Sequence, residues 1–357
     1  MELSVNIKKK YPNFTLDMQF ALTGRRIGIL GASGCGKSMT LRAIAGILHP
    51  DEGRIVLGDR VMYDSKERID LKPQVRNIGY LFQNYALFPN MTVRENIMAG
   101  LRGKKAEKTA RADEMIARFG LSGLADMLSG QLSGGQQQRC ALARIMAYKP
   151  DVILLDEPFS ALDWYLRDRM QQELSDMLQD YEGMVIMVSH DRDEIFRFSE
   201  EILIVDSGHV IRQGRTREVF ASPGTKSAAM LTGCKNFSRA ERIDDHHVRA
   251  VDWGITVETE QVLPAKIRDL GFRAHQFMPV YLRAGEDGDS LKNAVRCNIV
   301  SKAELQFERN YYIKPDADSG DGPPVTWLVQ RELWPMLDEK GMPDYLVMPE
   351  EDFLFLE

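Results

Sequence analysis

The sequence predicts a doubly wound α/β domain followed by a small β-rich domain, and three observations carry that prediction. Short apolar runs at 27–30, 78–82, 152–155, 184–188 and 202–205 have the length and composition of strands buried on both faces of a parallel sheet. Segments of helical character separate many of them: 39–47 after the first run, 114–119 and 136–148 before the third, and 166–178 before the fourth. Such alternation is the pattern of βαβ units. Past about residue 230 the texture changes to short apolar stretches, such as 247–251, 255–259 and 279–282, broken by polar, Gly or Pro turns. Ser222-Pro223-Gly224-Thr225 interrupts regular structure just ahead of the change, so the domains are expected at 1–230 and 231–357.

Composition agrees with two cores and narrows the partners. A chain of 357 residues exceeds the usual length of one domain. Its 46 Lys and Arg against 52 Asp and Glu give a net charge of −6, which argues against a protein built to coat nucleic acid, so any phosphate recognition must be local. No apolar run approaches the roughly 20 residues that cross a bilayer. Residues 1–10 alternate polar and apolar instead of resembling a signal peptide, and a cytoplasmic location is expected. The four cysteines, at 35, 140, 234 and 297, are too scattered for a metal cluster and too few for a disulfide framework, so reduced thiols are expected.

Four strands of the first domain end on chemistry. After 27–30 comes Gly31-Ala32-Ser33-Gly34-Cys35-Gly36-Lys37-Ser38, then Met39 and a helix. This matches the Walker A phosphate-loop pattern G-x-x-x-x-G-K-S/T. Glycines let backbone N–H groups close around phosphates and the helix N-terminus adds a favourable dipole, while Lys37 can reach the β and γ phosphates and Ser38 can ligate Mg²⁺. The run 152–155 ends in Asp156 and Glu157, a Walker B arrangement in which Asp156 can hold the Mg²⁺ water shell and Glu157 can orient the water that attacks the γ-phosphate. Gln83 follows 78–82, and Ser189 with His190 follows 184–188. Ligands of open α/β sheets bind at the carboxyl edge, so Gln83, Asp156, Glu157 and His190 are expected to converge on the loop. Between the second and third strands stands Leu132-Ser133-Gly134-Gly135-Gln136 ahead of a helix, a second anion-receptive N-terminus. Because the first loop already cradles its own nucleotide, the second suggests a site completed by another subunit.

Taken together, these residues resemble the ATP-binding cassette ATPases of ABC transporters. In that resemblance 132–136 is the signature motif, Gln83 the Q-loop, Ser160-Ala161-Leu162-Asp163 the D-loop and His190 the switch histidine. It implies a P-loop NTPase fold with a RecA-like core, an antiparallel β subdomain and a helical subdomain, followed by a β-rich TOBE/OB-like domain. It also implies a head-to-tail homodimer. ATP at Gly31, Ser33, Gly34, Cys35, Gly36, Lys37, Ser38 and Met39 would be covered by the partner's copy of Ser133, Gly134, Gly135 and Gln136, with Asp163 nearby. Glu157, His190 and Gln83 would be catalytic, and Ser38, Gln83 and Asp156 would hold Mg²⁺. Tyr11 would stack on adenine.

Finer resemblances bear on partners and cargo. The stretch 83–93 is similar to the segment that importer cassettes present to a permease, and Gly233-Cys234-Lys235-Asn236 with 270–275 are similar to TOBE-type domains. The run 71–80 looks most like molybdate or sulfate cassettes. The resemblance therefore implies a peripheral subunit on the cytoplasmic face of a bacterial membrane, bound to two transmembrane permease subunits and served indirectly by an external solute-binding protein. Molybdate or a related oxyanion is the expected cargo, with sulfate, ferric iron, polyamines and sugars as alternatives. A soluble cassette ATPase acting on DNA or ribosomes is the remote alternative: such proteins carry coiled-coil or zinc insertions or two cassettes, and this chain has a single phosphate loop. A third reading makes the β-rich domain a sensor of the transported anion, which no basic cluster in 234–357 compels.

Overall fold

The five apolar runs become five adjacent strands at one end of a single sheet. The computed structural model describes residues 1–160, 164–283, 288–296, 298–314 and 323–357. In chain order the first unit contributes β1 (Leu3–Tyr11), β2 (Phe14–Leu22), β3 (Arg26–Leu30), β4 (Glu52–Leu57), β5 (Arg60–Asp64), β6 (Ile69–Asp70), β7 (Ile78–Leu81), β8 (Val152–Asp156), β9 (Met184–Ser189), β10 (Glu201–Asp206) and β11 (His209–Arg215). They form an eleven-stranded sheet in the order β6-β5-β4-β1-β2-β11-β10-β3-β9-β8-β7. The segment β10-β3-β9-β8-β7 is parallel throughout, whereas β5-β4-β1-β2 pair antiparallel. Every residue of β8 and β9 is buried, which is why those strands read as unbroken apolar runs.

Helices α1 (Lys37–Ala45), α2 (Pro73–Arg76), α3 (Val93–Met98), α4 (Lys105–Arg118), α5 (Gly134–Ala147), α6 (Trp164–Leu178) and α7 (Arg192–Phe198) connect these strands. The expected helix at 114–119 is the end of the longer α4; its first half carries the charged residues of a solvated face and shows no apolar run. Two contacts fix the strand–helix unit that carries the phosphate loop. Gly28 of β3 lets α7 approach so closely that a Cβ there would lie 2.6 Å from Ile195 Cγ2. At the far end of α1, the fully buried Arg76 donates to the carbonyls of Ala43 and Ile44, both at 2.8 Å, and pairs with Asp70 at 3.0 Å. The guanidinium thus satisfies carbonyls that a helix C-terminus leaves without partners.

The chain divides into two compact units, Met1–Val219 and Phe220–Glu357. This division falls ahead of the expected 230/231 because the helix Lys226–Leu231 belongs to the second unit, where Ala229 is buried with Cys234, Leu354 and Leu356. The second unit is β-rich. Its five-stranded sheet runs Ile255–Glu258, His247–Ala250, Asn236–Arg242, Asp269–Phe272, Leu354–Leu356, and two three-stranded sheets accompany it. Its core centres on Trp253, Phe272 and Trp327. No helix among the described residues is long and apolar enough to cross a membrane.

Candidate active site

The phosphate loop leaves the carboxyl end of β3 at a point where only glycine fits. A Cβ on Gly31 would lie 2.3 Å from the carbonyl oxygen of Val205 and 2.7 Å from Cys35 Sγ. Gly36 takes φ +106° as the N-cap of α1, a left-handed conformation that turns the chain into the helix. Lys37, 4% exposed, donates its ammonium back to the carbonyls of Gly31 and Ala32 at 2.8 and 2.9 Å, which aims the charge along the inside of the loop.

The sheet then brings two distant carboxylates to this loop. Asp156, the last residue of β8, accepts from the Ser38 hydroxyl at 2.6 Å through Oδ1 and from the Tyr80 hydroxyl at 2.7 Å through Oδ2. Burial, reinforced by the Asp156 charge, pushes the Tyr80 hydroxyl far above its ordinary pKa, so it stays a donor. Glu157 follows with φ +46°, an uncommon backbone for a non-glycine residue, held by its N–H donating to the Val188 carbonyl at 3.0 Å and by the Ser160 hydroxyl donating to its carbonyl at 2.9 Å. It lines a cavity of about 160 Å³ with Ser33, Gly34, Gly36, Lys37, Ser38 and Met39. His190, just past β9, has Nδ1 3.4 Å from Glu157 Oε1. Gln83 stands exposed after β7 on the same sheet edge and is not part of the cavity wall.

Residues fit for a nucleotide and a hard cation are thus in place. The loop is a backbone cradle that a Cβ would fill, and Ser38 with Asp156 offers adjacent oxygen donors of the kind Mg²⁺ takes. Cys35 is buried in the loop, and burial raises its thiol pKa, so it is a packing residue and not a nucleophile. Cys35, Cys140 and Cys234 are buried free thiols; Cys297 is outside the described residues.

Two features were not readable in the sequence. One is the Tyr80–Asp156 bond, which joins neighbouring strands. The other is Phe14. A second cavity of about 440 Å³ beside the loop is lined by Phe14, Thr15, Ser33, Cys35, Asp206 and His209, among others, but not by Tyr11. Tyr11 and Phe14 are register partners at the end of the β1–β2 hairpin, their ring centroids 6.4 Å apart, and Phe14 is the one that reaches the loop: a Cβ on Gly36 would lie 3.2 Å from its Cζ. Side-chain alternation with this register puts both rings on one face of the hairpin, so no pattern in the sequence separates them.

Residues 132–136 lie elsewhere. Ser133 caps α5 and its N–H donates to Gln136 Oε1 at 2.9 Å; Ser133 and Gly134 are exposed, and Gly135 faces Met170. Among the described residues no hydrogen bond or ion pair joins them to residues 31–38. Asp163 lies outside the described residues.

Comparison with known proteins defines the class. Residues 15–160 match the ABC transporter family model. The chain is 36% identical over 323 residues to the Fe(3+) ions import ATP-binding protein of Haemophilus influenzae (strain 86-028NP), covering 87% of this chain and 91% of that one. It is 38% identical over 252 residues to the protein of the same name from Brucella abortus (strain 2308), covering 69% and 70%. Among solved structures, the dimeric post-hydrolysis state of an ATP-binding cassette bound to ADP and Pi aligns at 31% identity and a TM-score of 0.51, covering 61% of this chain and 99% of that one. The chain belongs to the ABC transporter family, as an ATP-binding subunit of the bacterial importer type. It is an ATP-hydrolysing enzyme coupled to transport.

Proposed function

We propose that two copies of this chain join head to tail, each covering the other's phosphate loop with residues 132–136, and that closure of this pair on ATP drives import of ferric iron. The observation that carries the reading is the separation of two anion-receptive helix starts: one sits against Asp156, Glu157 and the sheet edge, and the other is exposed, joined to the first by no hydrogen bond or ion pair among the described residues. The solved dimeric relative supports a dimer as the working unit.

In this reading the backbone N–H groups of the loop and Lys37 hold the β and γ phosphates, the ammonium exchanging its two carbonyl acceptors for phosphate oxygens. Ser38 and Asp156, with Gln83 swinging in from the end of β7, would hold Mg²⁺, which supplies positive charge against the phosphate oxygens. Glu157 accepts the proton of the attacking water. His190 beside it contacts the γ-phosphate, and Asp163 would approach from the partner. The adenine stacks on an aromatic of the β1–β2 hairpin: Tyr11 by resemblance, or Phe14, which faces the loop cavity.

Permease subunits are the natural partners of the segment after Gln83. Asn96 and Arg144 hold the carbonyls of Tyr85, Ala86, Phe88 and Met91, leaving Phe88 47% exposed on a fixed backbone. A rigidly presented aromatic is suited to receiving a helix. The protein would work peripherally on the cytoplasmic face of the membrane, with the β-rich unit regulating or supporting the dimer. As for cargo, the molybdate expectation finds no support among the relatives, whereas the ferric-iron alternative matches their names over most of the chain. The test is uptake in cells lacking this chain: radiolabelled ferric iron import is expected to fall and to be restored by the wild type but not by Glu157→Gln. Unchanged iron uptake with loss of molybdate uptake would overturn the assignment.

A further inference from the structure

The turn that carries His190 is held by a buried carboxylate that touches neither the phosphate loop nor Glu157. Glu194, 5% exposed, lies in the first turn of α7. Its Oε2 accepts from the Ser189 hydroxyl at 2.6 Å, and the same hydroxyl oxygen accepts from the backbone N–H of Asp191 at 2.9 Å. The hydroxyl therefore bridges across His190, and Glu194 sets which way it points. Asp191 Oδ1 completes the frame by accepting from the N–H groups of Asp193 and Glu194 at 2.9 and 3.2 Å. A cation from another helix locks it: Arg167 of α6 donates through Nη1 to Asp191 Oδ2 at 3.3 Å, and its Nε lies 3.7 Å from Glu194 Oε1.

Burial at this depth penalises a carboxylate and raises its pKa, so stability alone would favour an apolar side chain on the buried face of α7, as Ile195 provides next to it. What the carboxylate supplies instead is direction. The contact between His190 and Glu157, at 3.4 Å, leaves no margin for a turn that drifts by an ångström.

We propose that Glu194 is a positioning residue for hydrolysis: through Ser189 it fixes the turn that presents His190 beside Glu157, and through Arg167 it ties that turn to α6. This rests on the reading of His190 as the contact to the γ-phosphate. Helix α6 begins directly after the D-loop segment, so a shift of α6 at the dimer interface reaches His190 through one arginine.

The test is steady-state ATP hydrolysis by the full-length chain carrying Glu194→Ala, Ser189→Ala, both together, Glu194→Gln, and His190→Ala. Glu194→Ala and Ser189→Ala are each expected to lower kcat by about 10- to 100-fold, the effect of an ångström of misplacement, with KM for ATP within about twofold. The double variant should lose no more than either single one, because both break the same link. Glu194→Gln, whose amide oxygen still accepts from Ser189, should keep at least about half of kcat. Three results would overturn the proposal: wild-type kcat in Glu194→Ala beside an inactive His190→Ala; losses at Glu194 and Ser189 that multiply; or a loss that follows the folded fraction seen by circular dichroism. Wild-type hydrolysis by His190→Ala would instead remove the reading of His190 itself.

Discussion

Two glycine-rich helix starts in this chain, the phosphate loop ahead of α1 and the Ser133-Gly134-Gly135-Gln136 start of α5, have similar backbone chemistry and opposite surroundings. The first is built into the sheet edge: Gly31 fits against Val205, Lys37 is folded inside the loop, and Asp156 and Glu157 arrive from β8. The second is exposed, and its Gln136 side chain turns back to satisfy Ser133. A helix N-terminus is receptive to anions in either setting. What distinguishes them is whether the same chain also supplies a lysine, cation ligands and a base. In the proposed head-to-tail pair the phosphate loop holds the nucleotide and residues 133–136 cover that of the other copy.

That contrast can be broken or sharpened by substitution. The largest effect is expected at Glu157: Glu157→Gln keeps the shape and removes the base, so kcat for ATP should fall by about 10²- to 10⁴-fold with ATP binding unchanged, read by hydrolysis beside equilibrium binding of a fluorescent nucleotide. Robust turnover in this variant would sink the assignment of the base. Lys37→Ala comes next and acts on binding itself. Losing charge-assisted bonds of about 1.5–3 kcal/mol should weaken ATP affinity by about 10- to 150-fold. Gly135→Asp sharpens the comparison most. It should leave affinity for ATP in the single chain within about twofold while suppressing turnover, since the added charge meets phosphate only in the closed pair; an equal loss of binding in the isolated chain would mean that 133–136 serves its own loop. The smallest effect belongs to Tyr80→Phe, which frees one oxygen of Asp156. The Mg²⁺ concentration for half-maximal hydrolysis should rise several-fold, about 1 kcal/mol in a ligand held by one fewer hydrogen bond, and an unchanged Mg²⁺ curve would count against Asp156 as a ligand.

How much of this was readable beforehand follows from where the information lies. The parallel strands and their chemistry were visible because each is a contiguous apolar run ending in a polar residue, as in Val152 to Leu155 before Asp156 and Glu157. Contacts set by register were not. Tyr80 reads as one more buried strand residue until β7 pairs with β8, and only then does its hydroxyl meet Asp156. Phe14 and Tyr11 are equivalent aromatics in the sequence and register partners in the hairpin, and only the packing of the phosphate loop at Gly36 against Phe14 tells them apart. The helix Lys226–Leu231 has no sequence mark of which unit it joins; burial of Ala229 against Leu354 and Leu356, more than a hundred residues later, decides it. The molybdate expectation rested on likeness in the run 71–80, of which Tyr80 serves Asp156 at the nucleotide site, and the similar proteins are named for Fe(3+) import instead.

In the proposed pair one working site needs the phosphate loop of one copy and residues 132–136 of another. That requirement is tested most directly by mixing two variants, both carrying Glu157→Gln so that bound ATP is not turned over. One has Lys37→Ala in addition and the other Gly135→Asp, and ATP retained through rapid gel filtration is measured. Each variant alone should retain almost none, and the mixture should retain ATP, because mixed pairs contain a single intact site made from the good half of each chain. Retention no greater in the mixture than in the separate variants would contradict the account.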